Sequence, residues 1–235
     1  RDSRGNGQAS RMPVHIVWFK RDLRVADHAP LVGAAARGPV LPLYVAEPDY
    51  WQLPDTSGRQ WEAVADGLRE LREDLAALGQ PLVVRTGDVV QVLESLRREH
   101  GVAGLWSHEE TGNGWTFERD RRVAAWARAQ GVAWHEIPNC GVVRRLRSRD
   151  RWARQWEARM APTPLAAPAL APLSGVDAGT IPAAAELGLA DDPCPGRQRG
   201  GRRRGARARL ARSGGRGAGD LGGRRRPRSA GTPGG

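Results

Sequence analysis

The chain has 235 residues and a net charge of +11, from 37 Lys and Arg against 26 Asp and Glu. This length allows one domain of ordinary size and some additional segments. No stretch approaches the ~20 consecutive apolar residues of a membrane span, and the polar segment 1–11 argues against a signal peptide. We therefore expect a soluble, cytoplasmic protein.

The excess positive charge is concentrated at the end of the chain. Residues 196–235 contain 13 Arg, 13 Gly and one acid, Asp220, whereas residues 1–195 are nearly neutral. The basic composition therefore describes a tail and does not indicate a nucleic-acid-binding fold. Because the tail lacks aromatic residues, Val and Ile, it cannot offset the entropy of ordering, and we expect it to be disordered.

Three further segments precede that tail. Residues 1–12 are polar and predict a disordered extension, and residues 161–195 are rich in Ala and Pro, which predicts an extended linker. Residues 13–160 carry regular apolar periodicity. A unit of this size buries about 70% of its unfolded surface, so we expect one folded domain there.

Five short apolar runs within that domain predict β-strands. They are rich in Val, Ile, Leu and Trp, as buried parallel strands tend to be. The predicted strands are His15–Phe19, Val40–Ala46, Leu82–Arg85, Gly104–Ser107 and Ala133–Ile137.

Helical patterns with recognisable starts lie between these strands. Asp27 is the predicted N-cap of the first helix. The second helix has the clearest pattern, because apolar residues recur every three or four positions from Trp61 to Leu78. Ser57 and Gln60 resemble a capping box at its start.

Three more helices follow along the chain. Asp88 is the predicted N-cap of the third, and the fourth spans 115–129. A basic segment at 144–160 predicts another helix, and one of its faces carries Trp152, Trp156 and Met160. We expect that face to pack on the sheet or on a further domain, with the arginines solvated; a contact with a DNA backbone is the alternative.

This alternation of strands and helices predicts an α/β fold. We expect a Rossmann-like open parallel five-stranded sheet with helices on both faces, followed by the linker and the tail. Ligands of such sheets bind beyond the carboxyl ends of the strands, near the point where the strand order reverses. The loops at that edge are 20–28, 47–58, 86–88, 108–114 and 138–144.

The loop after the first strand is dense in charge. It reads Lys-Arg-Asp-Leu-Arg at 20–24 and continues to Asp27 and His28. Such a mixture directly after a buried strand either holds an anionic ligand or forms an internal lattice of ion pairs. The residues alone favour the lattice.

Several spaced motifs, taken together, resemble the DNA photolyase/cryptochrome family. The similarity covers roughly residues 13–160, and the motifs occur in the order that the family has. They are Val17-Trp18-Phe19-Lys20-Arg21-Asp22-Leu23-Arg24, Asp27-His28-Ala29-Pro30-Leu31, the second strand at 40–45, the third strand and its turn at 82–88, Glu109-Glu110, and Glu118-Arg119-Asp120.

This resemblance implies a function that needs a second domain. Members pair the α/β antenna domain with a larger C-terminal helical domain that binds FAD. There the light-excited reduced flavin donates an electron to a cyclobutane pyrimidine dimer in DNA and splits it. The family activity is that of a deoxyribodipyrimidine photo-lyase, a carbon–carbon lyase, or else blue-light sensing.

The resemblance also places part of a light-harvesting pocket in the loop at 109–113. A carboxylate there would bond to a folate or deazaflavin antenna chromophore. The alternative is a helix N-terminus capped by Thr111 or Asn113. The residues expected to hold the chromophore are Lys20, Arg21, Asp22, Glu109, Glu110 and Asn113. No catalytic residue is expected in this chain.

The remaining residue types do not predict a metal site. The five histidines are scattered, without H-x-x-x-H or H-E-x-x-H spacing. The two cysteines, Cys140 and Cys194, are too few for a zinc quartet, and we expect both to be reduced thiols. There is no G-x-G-x-x-G or Walker loop, which disfavours a dehydrogenase or a kinase.

The start of the tail suggests how the FAD domain comes to be missing. Residues 192–198 resemble the segment before the flavin-domain helices of bacterial members, but Arg/Gly repeats follow instead. The chain has 36 Arg and a single Lys, as GC-rich codons would give. We therefore hypothesise a shifted reading frame after residue 196, and a fragment that is inactive by itself.

Two other functions stay open on the sequence alone. The Arg/Gly tail is also typical of segments that bind nucleic acid without sequence preference. The α/β domain is also compatible with a nucleotide-binding signalling module that is related only by fold. We expect no membrane partner, and we expect DNA to be the partner of the intact family member.

Overall fold

The computed structural model describes residues 12–139, 142, 144 and 148–190. The described residues all lie in one compact unit. The predicted tail at 196–235, the predicted extension apart from Met12, and both cysteines lie outside the described residues. No helix among the described residues is long and apolar enough to cross a membrane.

Strands and helices alternate through the described part of the chain. The strands are β1 (Val14–Phe19), β2 (Val40–Ala46), β3 (Val83–Thr86), β4 (Val102–His108) and β5 (Trp134–Ile137). The α-helices are α1 (Ala29–Ala35), α2 (Pro48–Trp51), α3 (Gly58–Ala77), α4 (Val89–His100), α5 (Gly114–Ala129) and α6 (Trp152–Met160), and a 3₁₀ helix spans Ala184–Leu187.

The five strands form one parallel sheet in the order β3-β2-β1-β4-β5. Ile16 in the central strand is paired with Leu41 in β2 and with Leu105 in β4. The strand order therefore reverses at β1, which puts the switch point between β1 and β4. This arrangement confirms the predicted α/β fold with an open parallel sheet.

The sheet has a hydrophobic core on each face. Successive side chains of a strand point to opposite faces, so Val17 and Phe19 belong to one core and Ile16 and Trp18 to the other. The first core is packed against α1 and α3, and the second against α4 and α5. Every residue of β1 and β2 is buried, as expected for strands that are covered on both faces.

Three of the predicted N-caps are present. Ser57 accepts a hydrogen bond from the Gln60 amide at 3.4 Å, and Asp88 accepts from the amides of Val90 and Gln91. At the start of α5, Oδ1 of Asn113 accepts from the Thr116 amide at 3.1 Å. Each cap satisfies an amide that has no partner within its helix.

The N-cap predicted for α1 was wrong. His28 caps this helix, with its Nδ1 accepting a hydrogen bond from the Leu31 amide at 3.1 Å. Asp27 lies one residue earlier, at a φ of 51°, and is bonded to a distant part of the chain. Its amide donates to the Leu165 oxygen at 2.8 Å, and its Oδ1 accepts from the Leu165 amide.

The helix predicted at 144–160 is shorter than expected. It starts at Trp152, and none of the residues described between 144 and 151 is helical. Trp152, Trp156 and Met160 are 43%, 42% and 44% exposed. This face therefore does not pack into the sheet, which was one of the two expectations for it.

Residues 161–190 run along the domain as a strap. Apart from the 3₁₀ helix they have bends, turns and segments without regular secondary structure. However, backbone hydrogen bonds attach them to the domain. The Leu170 amide donates to the Leu78 oxygen at 2.7 Å, and the Val84 amide donates to the Ala178 oxygen at 2.8 Å. Leu187 is fully buried. The limits drawn at 160 and 195 remain predictions.

Candidate functional site

A cavity of about 270 Å³ lies at the carboxyl ends of β1 and β2, beside the reversal of strand order. We call it the switch-point cavity. Its aromatic walls are Trp18, Phe19, Tyr44, Tyr50 and Trp51. Its charged residues are Lys20, Arg21, Glu47, Asp55, Glu110 and Arg119. Buried aromatic rings and a few fixed polar groups are the usual lining of a small-molecule site.

A buried guanidinium organises one wall of this cavity. Arg119 of α5 donates from Nη1 to Oε2 of Glu47 at 3.2 Å and from Nη2 to the carboxylates of Glu110 and Asp120. Its Cζ atom lies 4.7 Å from the centre of the Trp18 ring. The Arg119 side chain therefore connects α5 with β1, with the start of α2 and with the loop after β4.

Lys20 and Arg21 extend this lattice from the loop after β1. Nζ of Lys20 lies 3.2 Å from Oδ2 of Asp120, and burial lowers the pKa of Lys20 from its ordinary value. Arg21 donates to the Tyr50 hydroxyl at 2.9 Å, and its Nε lies 3.1 Å from Glu110. Because its side chain is 59% exposed, Arg21 lies at the mouth of the cavity.

Asp22 is not part of this lattice, and its carboxylate stabilises the loop after β1 through other contacts. Its Oδ1 accepts from the Lys20 amide, and its Oδ2 lies 2.8 Å from Nε2 of His28 and 2.5 Å from Nδ1 of His108. Burial alone would raise the pKa of Asp22, but the hydrogen bonds from both histidines lower it well below its usual range.

The protons in this cluster can be assigned. Nδ1 of His28 accepts from the Leu31 amide, so the ring proton is on Nε2 and is donated to Asp22. Burial lowers the pKa of His28, which keeps the ring neutral. An ionised carboxylate only accepts, so His108 is also a donor towards Asp22.

Asp22, His28 and His108 also have the ligand types of a metal site, with candidate atoms within 4.8 Å of one another. However, two ligands of one tetrahedral zinc ion lie about 3.3 Å apart. The contacts of 2.5 and 2.8 Å are shorter than this, and they fit shared protons. Sequence spacing gave no indication of the cluster, because His108 lies 86 residues from Asp22 along the chain, although His28 is only six residues away.

The two acids expected in the 109–113 loop share a second cavity of about 160 Å³, which is also lined by Lys20, Arg21, Asp22 and His108. Glu110 lines the switch-point cavity as well, whereas Glu109 does not. Asn113 lines neither of these two cavities and caps α5, which is the alternative given for it above. The ion-pair lattice of the charged loop exists, and the same residues line a cavity.

Sequence reasoning missed Glu47 and the aromatic residues beside it. Glu47 follows β2 directly and is buried; burial raises the pKa of its carboxyl to about 7, and Arg119 acts against that shift. The 47–58 loop was expected at the ligand edge, but nothing in its residues distinguished Glu47. Arg119 was part of the family resemblance, without an assigned contact.

The residues of this site fall within one family match. A model of the DNA photolyase family, described as DNA photolyase, matches residues 15–168. The chain belongs to the DNA photolyase family. The match contains β1 from its second residue, β2 to β5, all residues of the switch-point cavity and the start of the strap.

Individual photolyases and cryptochromes are also similar to this chain. The deoxyribodipyrimidine photo-lyase of Salmonella typhimurium is 36% identical over 120 residues, which is 48% of this chain and 24% of that protein. A cryptochrome DASH of Gloeobacter violaceus is 32% identical over 193 residues, 74% of this chain and 38% of that protein. The chain therefore spans a quarter to two fifths of these photolyase relatives.

Solved photolyase structures share the fold. A class III photolyase from Agrobacterium tumefaciens matches with a TM-score of 0.57 at 22% identity, over 73% of this chain and 37% of that one. A Sulfolobus tokodaii photolyase, described with two FAD molecules, matches with a TM-score of 0.54 at 20% identity, over 66% and 37%. At such identities the likeness concerns the fold alone.

Proposed function

We propose that the described domain is the light-harvesting part of a photolyase or cryptochrome, and that it holds a flat heteroaromatic chromophore in the switch-point cavity. The observation that carries this proposal is the cavity itself. Aromatic rings and buried charges line it at the edge where α/β sheets bind their ligands. A folate or a deazaflavin is the proposed chromophore.

The lining supports a planar ligand. Trp18, Tyr44 and Trp51 are buried and offer ring surfaces that exclude water. The ion pairs of Lys20 and Arg119 fix the polar wall, so it does not need to reorganise when a ligand enters. A preformed site of this kind loses little conformational entropy on binding.

The predicted site residues take different parts in this proposal. Lys20 and Glu110 form the wall, and exposed Arg21 at the mouth would meet an anionic substituent of the chromophore. Asp22 holds the loop that carries Lys20 and Arg21. Glu109 lines the second cavity, and Asn113 caps α5.

We propose that the parent activity is light-driven, FAD-dependent repair of cyclobutane pyrimidine dimers in DNA. The family match and the photo-lyase of Salmonella typhimurium support it. Blue-light sensing is the second candidate, because the similar proteins include a blue-light photoreceptor of Arabidopsis thaliana, 35% identical over 104 residues. The FAD domain and the DNA surface would lie outside the residues described.

Purifying the 235-residue polypeptide and titrating it with 5-deazariboflavin and with a methenyl-folate tests the proposal. We expect one of them to bind and to show changed fluorescence. Under blue light the polypeptide alone should leave pyrimidine dimers intact, since relatives named for that repair are far longer than the matched region. Failure of both chromophores to bind contradicts the light-harvesting role, and dimer repair with stoichiometric flavin contradicts the inactivity.

A further inference from the structure

The cap of α2 is formed by the backbone of Glu47 and not by its carboxylate. Glu47 is the N-cap of α2, yet its side chain makes no capping hydrogen bond. Instead its backbone oxygen accepts from the amides of Tyr50 and Trp51 at 3.1 and 3.2 Å. The carboxylate is therefore not needed to start the helix, although an acid at this position usually serves that purpose.

One carboxylate oxygen of Glu47 is paired and the other is not. Oε2 accepts from Nη1 of Arg119 at 3.2 Å. Oε1 is buried and has no hydrogen-bond partner among the described residues. The side chain is only 6% exposed, so bulk water does not compensate. Buried polar atoms in folded proteins are nearly always bonded, which makes this oxygen an acceptor that awaits a donor.

The location of Glu47 indicates where that donor comes from. Glu47 lines the switch-point cavity beside Tyr44, Tyr50 and Trp51. The neighbouring Glu110 differs, because it is already paired with Arg119 and Arg21. A ligand that fills the cavity therefore meets a saturated acid at Glu110 and an acceptor with spare capacity at Glu47.

We infer that Glu47 is a specificity-determining residue of the cavity, whose Oε1 accepts a hydrogen bond from a ring N–H of a flat heteroaromatic ligand. This inference rests on the proposed light-harvesting function and deepens it. The ligand class is a fused ring with an N–H beside a carbonyl, as in a lactam or an imide. A site that offers a buried acceptor discriminates strongly against an analogue without the donor.

The inferred contact also makes binding depend on pH. Burial, aided by Asp88 at the start of α4, raises the pKa of Glu47 to about 7, against the opposing effects of Arg119 and of the nearby Val89 backbone amide. The titratable groups that face Glu47 come from five elements and loops: Tyr44, Tyr50, Asp88, Glu110 and Arg119. The ionised carboxylate is the stronger acceptor, so affinity should rise as pH increases through about 7.

Two probes that differ in one donor test the inference on the full chain. They are 5-deazariboflavin, whose N3 carries a hydrogen, and its N3-methyl derivative, with affinities measured by fluorescence on both sides of pH 7. We expect the unmethylated probe to bind at least about tenfold more tightly above that pH. Glu47→Leu should remove the preference, and Glu47→Gln should remove its pH dependence.

Asp49→Asn is the matched control, because it removes a carboxylate from the same short helix at an exposed position. It should change neither affinity nor pH dependence. If Glu47→Leu does not fold, carboxyl ¹³C NMR of the unmodified chain decides instead: the pKa of Glu47 should fall when 5-deazariboflavin is added.

The outcomes separate this inference from the proposed function. Equal affinity for the two probes, or a pKa of Glu47 that does not move on binding, overturns the inference and leaves the light-harvesting role in place. Absence of binding by both deazaflavins and by the folate overturns both.

Discussion

Nδ1 of His108 lies 2.5 Å from Oδ2 of Asp22, although 86 residues separate the two along the chain. The contact joins the carboxyl end of β4 to the loop that follows β1. Since His28 donates to the same oxygen, three segments converge on one carboxylate. The shape of the ligand edge therefore depends on a buried polar cluster behind the cavity as well as on the residues that line it.

Replacing Asp22 by Asn should destabilise the fold. The variant keeps the size of the side chain but places an amide against donors from His28, His108 and the Lys20 backbone. Breaking a buried charged cluster at one partner costs about 3 kcal/mol. Urea unfolding measures the loss, and the exposed Asp49→Asn should stay within about 0.5 kcal/mol of the original chain. A similarly small change at Asp22 would contradict the role given to it.

The stability of the ligand-free chain should decrease as pH rises from about 4.5 to about 7, because of Glu47. Its folded-state pKa, about 7, lies above its ordinary value of 4.5. A raised pKa gives stability that is complete below the unfolded value and is lost as pH rises through the folded one. Over this range the free energy of unfolding should fall by about 3 kcal/mol less in Glu47→Gln than in the original chain, which unfolding at a series of pH values measures. Parallel curves for the two proteins would contradict the raised pKa.

Arg21→Gln should weaken only those chromophores that carry a negative charge. The side chain lies exposed at the cavity mouth, so its contribution is electrostatic and screened by salt. We expect the phosphate ester of 5-deazariboflavin to bind about threefold more weakly, with the uncharged form unchanged. Fluorescence titration at low and high salt measures both. The control is Arg128→Gln at an exposed position near the end of α5, and equal losses in the two variants would contradict the assignment.

Gly79→Ala should loosen the strap. Gly79 has a φ of 119°, and an added Cβ would lie 2.1 Å from the backbone oxygen of Leu170. Leu170 belongs to the strap, and its amide donates a hydrogen bond to the Leu78 oxygen. Gly131→Ala is the matched control, since it also has a positive φ but no atom within 4 Å of the added carbon. The control should cost about 1 kcal/mol and Gly79→Ala clearly more. Faster proteolysis within 161–190 would report the loosened strap, and equal costs would argue against the contact.

Replacing Trp152 and Trp156 together by Gln should leave the stability of the domain within about 0.5 kcal/mol, because both are largely exposed on α6. The same change should reduce association of the purified chain at high concentration, since an apolar patch is removed. Analytical ultracentrifugation and thermal unfolding test the two parts. A large loss of stability would mean that this face supports the domain after all.

The fold could be predicted because its signals are local. Three N-caps could be predicted from residue type alone, namely Ser57, Asp88 and Asn113. Their side chains accept hydrogen bonds from amides only two or three residues away. The apolar runs of β1 and β2 indicate burial on both faces without knowledge of their neighbours. Asp27 shows the limit of such reasoning. Its residue type is typical of an N-cap, but its side chain is hydrogen-bonded to Leu165, 138 residues later in the chain.

The candidate site could be predicted only in outline. The sheet order places the loops at one edge, and that edge was expected from the alternation of elements. Which carboxylate oxygen lacks a hydrogen bond was not predictable, because it depends on how Arg119 divides its donors among Glu47, Glu110 and Asp120. Such contacts depend on how the helices and strands pack together, so the spacing of residues along the sequence does not predict them.

The strap also protects the outermost strand of the sheet. Ala178 accepts a hydrogen bond from the Val84 amide of β3, and the Arg85 side chain donates to the Asp177 oxygen, so the strap occupies part of an edge with which another molecule could otherwise pair. A polypeptide shortened to end at residue 160 would keep every strand and yet leave this edge uncovered. Such a product would polymerise edge to edge, and its insolubility would say nothing against the sheet itself.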